Sequence, residues 1–279
     1  MRLWRKSLVF KEQLAQSILN TVLSAPGLAR AGWFGDAGFD VAPSVYYRGR
    51  VKTWTSDMFR NRPHAGELLA AQLGQYRAQP ETVLLALPRG GVPVAAVLAR
   101  ELMLPLEVLP VHKLGAPRQP ELAIGAVAGD DLVVLDRAAI ALMGISQGEM
   151  DSAIARERAE LVRRAEAYQG ERAPLALGGK MVILVDDGLA TGYTMLAAAR
   201  WVRQREPARI VIAVPVAPRE TLAMLRAEVD ELVCVEVPRK MIAIGLFYRD
   251  FSQVSDEQVR AALGIARERV RTARDSGAE

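Results

Sequence analysis

The 279-residue sequence predicts an α/β fold: a mostly parallel, Rossmann-like sheet with helices on both faces. Three observations predict it. From Asp57 onward, short apolar runs alternate with longer segments of helical periodicity, as in successive strand–helix units. Runs such as Met181–Val185 and Ile210–Val214 are continuously apolar rather than alternating, as in strands buried on both faces. Two of the runs end in turns of small, charged and hydroxyl residues, at the strand ends where open α/β sheets bind ligands.

The elements follow in order. Trp4, Leu8, Ala15, Ile18 or Leu19, and Val22 recur at helical spacing and suggest an amphipathic helix. Ala25 to Thr55 is rich in Gly, Pro and aromatic residues and loses periodicity. Residues 1–55 therefore read as an N-terminal extension, a helix and a strap, and residues 56–279 as the main domain. The extension reads as packing on that domain, as a targeting segment, or as a helix for a partner or a membrane surface. The main domain then gives helix Ala65–Tyr76, strand Thr82–Leu87, helix Pro93–Leu102, and strands Leu106–Val111 and Leu132–Leu135. A long helix Gln147–Tyr168 carries many Arg and Glu on its solvent face, and Gln169–Gly179 reads as a connector. Strand Met181–Val185, helix Thr194–Gln204, strand Ile210–Val214, helix Arg219–Ala227 and strand Leu232–Val237 continue the alternation. A closing helix runs from about Ser255 to Arg274, with Ser255 and Gln258 at capping-box spacing. Between Val111 and Val127, Gly115, Pro117 and Pro120 separate strand-like runs and predict a mobile loop.

Composition narrows the function classes. Hydrophobic residues make up 51% and charged residues 24%, enough for a sizeable core. The net charge of +4 lies in residues 1–50; the rest of the chain balances, so no nucleic-acid partner is expected. The uncharged stretch Gln13–Ala29 is broken by Gln16, Ser17, Asn20 and Thr21 and falls short of the roughly 20 apolar residues of a membrane span. No transmembrane segment is expected. Cys234, the one cysteine, sits in an apolar run and reads as a buried filler. A chain without an internal disulfide suits a reducing compartment, and a cytoplasmic location is expected.

The most informative stretch is Met181–Thr194. Five apolar residues run into Asp186 and Asp187, then a small-residue turn, Gly188-Leu189-Ala190-Thr191-Gly192-Tyr193-Thr194, opens a helix. Backbone N–H groups at such a turn, beside threonine hydroxyls, bind phosphate. Carboxylates next to a phosphate cradle accept from sugar hydroxyls or face a divalent metal. A ribose 5-phosphate asks for both. No Lys follows Gly192, which excludes a Walker-type loop. A second loop, Leu87-Pro88-Arg89-Gly90-Gly91-Val92-Pro93, also joins a strand to a helix; its glycines admit an anion and Arg89 offers a cationic fork. In the third, Lys113 and Arg118 are cations on the predicted mobile loop. His112 and His64 read as local packing or hydrogen-bonding groups.

These residues resemble the signature of type I phosphoribosyltransferases, which bind 5-phosphoribosyl 1-pyrophosphate (PRPP). From about Met58 to Leu263 the chain is similar to a group of predicted phosphoribosyltransferases of unassigned substrate. The carrying segments are Phe59–Gly66, the Leu87 and Lys113 loops, Pro120–Val127, Ala213–Pro218 and Ile244–Phe251. In that group position 61 is usually an acid; here it is Asn61.

The resemblance implies a type I phosphoribosyltransferase fold with a small hood, PRPP as substrate, and Mg²⁺ as cofactor, met by Asp186 and Asp187 mostly through PRPP. It implies that Asp186 and Asp187 hold the ribose hydroxyls and Ala190–Thr194 wraps the 5-phosphate, with Gly188 and Leu189 also among the PRPP-binding residues. Arg89, Gly90 and Gly91 would face the pyrophosphate, and Lys113 and Arg118 would neutralise it on a loop that closes. A strained cis peptide in the Arg89 loop is a family feature. A homo-oligomer acting in nucleotide metabolism is expected. The 6-oxopurine members carry an acid where this chain has Ala190, whereas adenine-type members often have Ala, so an adenine-like nucleobase acceptor is favoured. Phe247 and Tyr248 are candidates to stack it; equally, Ile242, Ile244, Leu246 and Phe247 are candidates for strand core. A non-nucleobase acceptor and a non-catalytic PRPP-binding regulator remain open.

Overall fold

The computed structural model describes residues 59–129, 131–169 and 176–265. The expected N-terminal helix and strap, and the end of the closing helix beyond residue 265, lie outside them. The central sheet has five parallel strands: β1 (Thr82–Ala86), β2 (Leu106–Val108), β6 (Met181–Val185), β7 (Arg209–Val216) and β8 (Glu231–Glu236). Their spatial order is β2-β1-β6-β7-β8. Ala86 pairs with Val185 and Val185 with Ala213, so the loops leaving β1 and β6 emerge side by side.

Alternate residues of each strand enter opposite cores, which explains the unbroken apolar runs. On one face Leu84, Ile183 and Val211 meet α1 (Arg62–Gln72), α2 (Gly91–Leu102) and the closing helix α7 (256–265), through Leu69, Leu98 and Val259. On the other, Leu85, Leu184 and Ile212 meet α5 (Tyr193–Arg203) and α6 (Arg219–Leu225), through Met195, Ala198 and Leu222. Ser255 and Gln258 bond reciprocally, N–H to side chain in both directions, so the predicted capping box starts α7. No helix among the described residues is long and apolar enough to cross a membrane.

The segment expected to be a mobile loop is a β-hairpin. β3 (Val111–Ala116) and β4 (Gln119–Ala128) pair antiparallel, and β5 (Leu132–Leu135) completes a three-stranded sheet against α5. The breakers misled because they sit where a hairpin tolerates them. Pro117 lies in the turn, and the register shifts on either side of Gly115, the irregularity at which Gly and Pro occur in strands. A Cβ on Gly115 would stand 2.3 Å from the Pro120 carbonyl oxygen. The strand expected over Leu106–Val111 is thus two, β2 and the start of β3, in different sheets. The hairpin's outer part packs on α3 (Arg137–Leu142), too short to show a period, and α4 (Gln147–Gln169).

A small cluster forms the expected hood. Phe59, Tyr248, Ile244, Phe247 and Phe251 pack together around a 3₁₀ turn at Ile244–Phe247. Phe59 exchanges backbone hydrogen bonds with Phe247 and Arg249, at 2.8 Å each. Ile242 is 70% exposed and Leu246 44%, so this segment is not core strand.

Leu184 is fully buried in the central strand. Leu184→Ala is expected to lower unfolding free energy by about 2–5 kcal/mol, read from a denaturant midpoint with unchanged far-UV circular dichroism. A change under about 1 kcal/mol would contradict this core assignment.

Candidate functional site

β6 delivers Asp186 and Asp187 to the C-terminal edge of the sheet, between β1 and β7. Asp187 is 7% exposed. Arg62, in the first turn of α1, donates from Nε to Asp187 Oδ2 at 2.7 Å and from Nη1 to the Ser252 carbonyl at 2.7 Å. Its guanidinium lies 3.9 Å from the centre of the Phe251 ring. The Tyr248 hydroxyl donates to the Asp187 carbonyl oxygen at 2.6 Å. Gly90 closes the other side: a Cβ there would be 2.1 Å from Asp187 Oδ2. Asp186 is only partly exposed, and its Oδ1 accepts from the Asp187 N–H at 2.8 Å. Burial first, and then the Asp187 charge, pushes the Asp186 carboxyl well above its ordinary range. Burial also raises Asp187, against the downward pull of Arg62.

The loop after the acids is pinned from outside. Leu189 N–H donates to the Val216 carbonyl at 2.9 Å, and Thr221 Oγ1 donates to the Ala190 carbonyl at 2.6 Å. Gly192 has φ +81°, and a Cβ would stand 2.5 Å from Thr221 Cγ2, so both conformation and space require glycine. Within the described residues the N–H groups of Ala190, Thr191 and Gly192 have no acceptor. They surround the start of α5, where the helix dipole is positive. Thr191 is exposed and Thr194 half-buried beside them. Tyr193 bonds through its side chain to Asp136; burial and that bond raise its phenol to about 12.

The Arg89 loop packs directly on this edge. A Cβ on Gly91 would be 2.6 Å from the Val185 carbonyl oxygen and 2.9 Å from Asp186 Cα. The Pro88–Arg89 peptide is cis. Arg89 is partly exposed, with Nη1 3.9 Å from Asp256 Oδ1. Asp256 is held by the Tyr168 hydroxyl at 2.5 Å. Arg89, Gly90, Gly91, Asp186, Asp187 and Gly188–Thr194 are therefore gathered at one edge.

A family model described as phosphoribosyl transferase domain matches residues 55–249. The chain belongs to the phosphoribosyl transferase family. It is 41% identical over 209 residues to the Mycobacterium tuberculosis protein named "Putative phosphoribosyl transferase Rv0571c" (strain ATCC 25618 / H37Rv). It has the same identity to its counterpart MT0597 in strain CDC 1551 / Oshkosh. Each match takes in 75% of this chain and 47% of the relative, so the chain spans about half the length of the curated relatives it matches. The crystal structure of TT1426 from Thermus thermophilus superposes with a TM-score of 0.61 at 45% identity, covering 74% of this chain and 97% of that one.

Three further candidates make local contacts in this structure. Lys113 lies on the hairpin, where Nζ donates to the Glu121 carbonyl at 3.0 Å. Arg118 pairs with Glu149 at 2.9 Å. Among the described residues neither touches the acidic pair or Arg89. Tyr248 is 3% exposed and sandwiched between Phe59 and Phe251, so its ring is not free to stack an acceptor. Phe247 remains partly exposed. His112 bonds to Glu157, the local role its setting suggested, and His64 accepts from the Arg60 N–H at 3.1 Å. Asn61 caps α1 by accepting from the His64 N–H at 3.0 Å, a task its amide oxygen performs as an acid would.

The donor set suits Mg²⁺. Two carboxylates and one guanidinium meet there, and carboxylate oxygens are the donors this cation takes. Among the described residues no three His, Cys, Asp or Glu side chains converge to hold an ion alone, so ligand oxygens would complete its shell.

Sequence reasoning overlooked Arg62 and Thr221 as site residues. Arg62 lies 125 residues from Asp187 in the chain, and Thr221 sits 31 from Ala190, beyond the reach of local spacing.

An unfolded Asp titrates near 3.9, and Asp186 titrates well above that in the fold. The folded protein therefore holds this proton more tightly, and stability is lost as pH rises from about 4 through the folded value. Asp186→Asn removes that loss. With divalent ions chelated, its melting temperature is expected to exceed that of the wild type at pH 8, and the gap should close at pH 4. An equal or lower melting temperature at pH 8 would contradict the burial strain.

Proposed function

We propose that this chain transfers the phosphoribosyl group of PRPP to an acceptor and releases pyrophosphate. The observation that carries it is the adjacency, on one short loop, of N–H donors that find no acceptor among the described residues (Ala190, Thr191, Gly192) and two acids, Asp186 and Asp187. Membership of the phosphoribosyl transferase family supports the same reading. The loop Gly188–Thr194 takes the 5-phosphate, with Thr191 and Thr194 hydroxyls as further donors. Asp186 and Asp187 accept from the ribose 2- and 3-hydroxyls. Arg89 and the backbone of Gly90 and Gly91 face the pyrophosphate.

The chemistry follows from those places. As the bond from ribose C1 to pyrophosphate lengthens, positive charge grows on the sugar and negative charge on the leaving group. The acids fix the sugar, and Arg89 stabilises the departing oxygens. Lys113 joins Arg89 only if the hairpin moves inward. Mg²⁺, held by PRPP oxygens with Asp186 and Asp187 beside them, would supply Lewis-acid neutralisation of the pyrophosphate. The acceptor is a nucleobase, with an adenine-like ring favoured by Ala190 in the place of the acid of 6-oxopurine enzymes. Phe247, at the rim of the hood, offers it a ring face. A cytoplasmic setting fits the single buried Cys234.

Pyrophosphate release from PRPP and Mg²⁺, with a panel of purine and pyrimidine bases and a no-base control, is expected to depend on one base. In the same assay a folded Asp187→Asn protein should lose about 10²-fold or more in turnover. Near-normal turnover of that variant would contradict the ribose assignment, and absence of release with every base would contradict transfer to a nucleobase.

A further inference from the structure

Arg62 is a buried cation that the reaction above does not use. It is 9% exposed, reaches Asp187 from the first turn of α1, and is fixed by the Ser252 carbonyl and the Phe251 ring. Packing alone does not call for a guanidinium here. A buried charge is costly unless paired, and its partner Asp187 is one of two adjacent acids at a ligand-binding edge. The arrangement counts charges. Asp186 and Asp187 bring two negative charges into a crowded setting, and among the described residues Arg62 is the cation bonded to either carboxylate. Gly90 closes against Asp187 Oδ2, the oxygen that Arg62 occupies.

We propose that Arg62 is a positioning residue that acts as a built-in counter-cation for the acidic pair. It holds Asp187 in one orientation and fills its Oδ2, so that a divalent cation cannot be chelated by both acids in the substrate-free protein. This rests on the proposed function only for the role of the acidic pair; the effect of Arg62 on metal binding is a property of the free protein.

The test is Mn²⁺ titration of the free protein, by calorimetry and by the electron paramagnetic resonance signal of unbound Mn²⁺, without PRPP. The wild type is compared with Arg62→Gln, which removes the charge, and Arg62→Lys, which keeps it. The expected result is at least about tenfold tighter Mn²⁺ binding in Arg62→Gln than in the wild type, from removal of one nearby positive charge. Arg62→Lys should bind Mn²⁺ as the wild type does, although its loss of the Ser252 and Phe251 contacts lowers its melting temperature. If Arg62→Gln is unfolded alone, millimolar Mn²⁺ should refold it where NaCl of equal ionic strength does not, because the ion replaces the missing charge.

Equal Mn²⁺ affinity in Arg62→Gln and the wild type would overturn the proposal. So would tightening of the same size in Arg62→Lys, which would trace the effect to shape rather than charge, or an Arg62→Gln protein that stays unfolded in Mn²⁺. PRPP protection of the wild type against heat, recorded separately with Mg²⁺, reports on the PRPP reading, so the two can fail independently.

Discussion

The ion pair between Arg62 and Asp187 ties the molecule's ligand edge together. It joins the first turn of α1 to the end of β6, and through Ser252 and Phe251 it draws the segment before α7 onto the same point. The Tyr248 hydroxyl secures the backbone of the same aspartate from the hood. Breaking one partner of such a buried pair costs about 3–5 kcal/mol, because the other is left charged and unpaired. Three separate parts of the chain thus depend on one carboxylate, and that carboxylate cannot drift without moving all of them.

Around it the edge is built on a contradiction of charge. Acids that burial drives towards protonation stand beside N–H donors that call for an anion. A ligand carrying phosphate and hydroxyls resolves both at once, as neither a bare anion nor a bare cation does. The glycines serve closeness more than flexibility: Gly90 and Gly91 let the β1 loop lie against Asp187 and Asp186, and Gly192 lets the loop after the acids lie against Thr221.

Local signals in the sequence carried the central sheet. Strands such as Met181–Val185 are continuous because both faces are covered, and the acids and small residues after it announce the loop. The same local reasoning failed where meaning depended on distant partners. Gly115 and Pro120 look like loop breakers until they are seen facing each other across a bulge. Tyr248 looks like a stacking residue until Phe59 and Phe251 enclose it. Arg62 stands in a polar helix start, and nothing near it in sequence foretells Asp187. The acids and the loop were legible because their chemistry is contiguous; the support that orients them is assembled by the fold.

If the Gly188–Thr194 loop receives the phosphate of a phosphorylated ribose, its backbone amides report that ligand, and backbone amide NMR of the ¹⁵N-labelled protein titrated with PRPP and Mg²⁺ reads them directly. Saturable shifts are expected to be largest at Ala190, Thr191 and Gly192, with ribose 5-phosphate moving the same three and inorganic pyrophosphate moving Gly90 and Gly91 instead. Absence of a saturable change, or changes that leave Ala190, Thr191 and Gly192 in place, would contradict it.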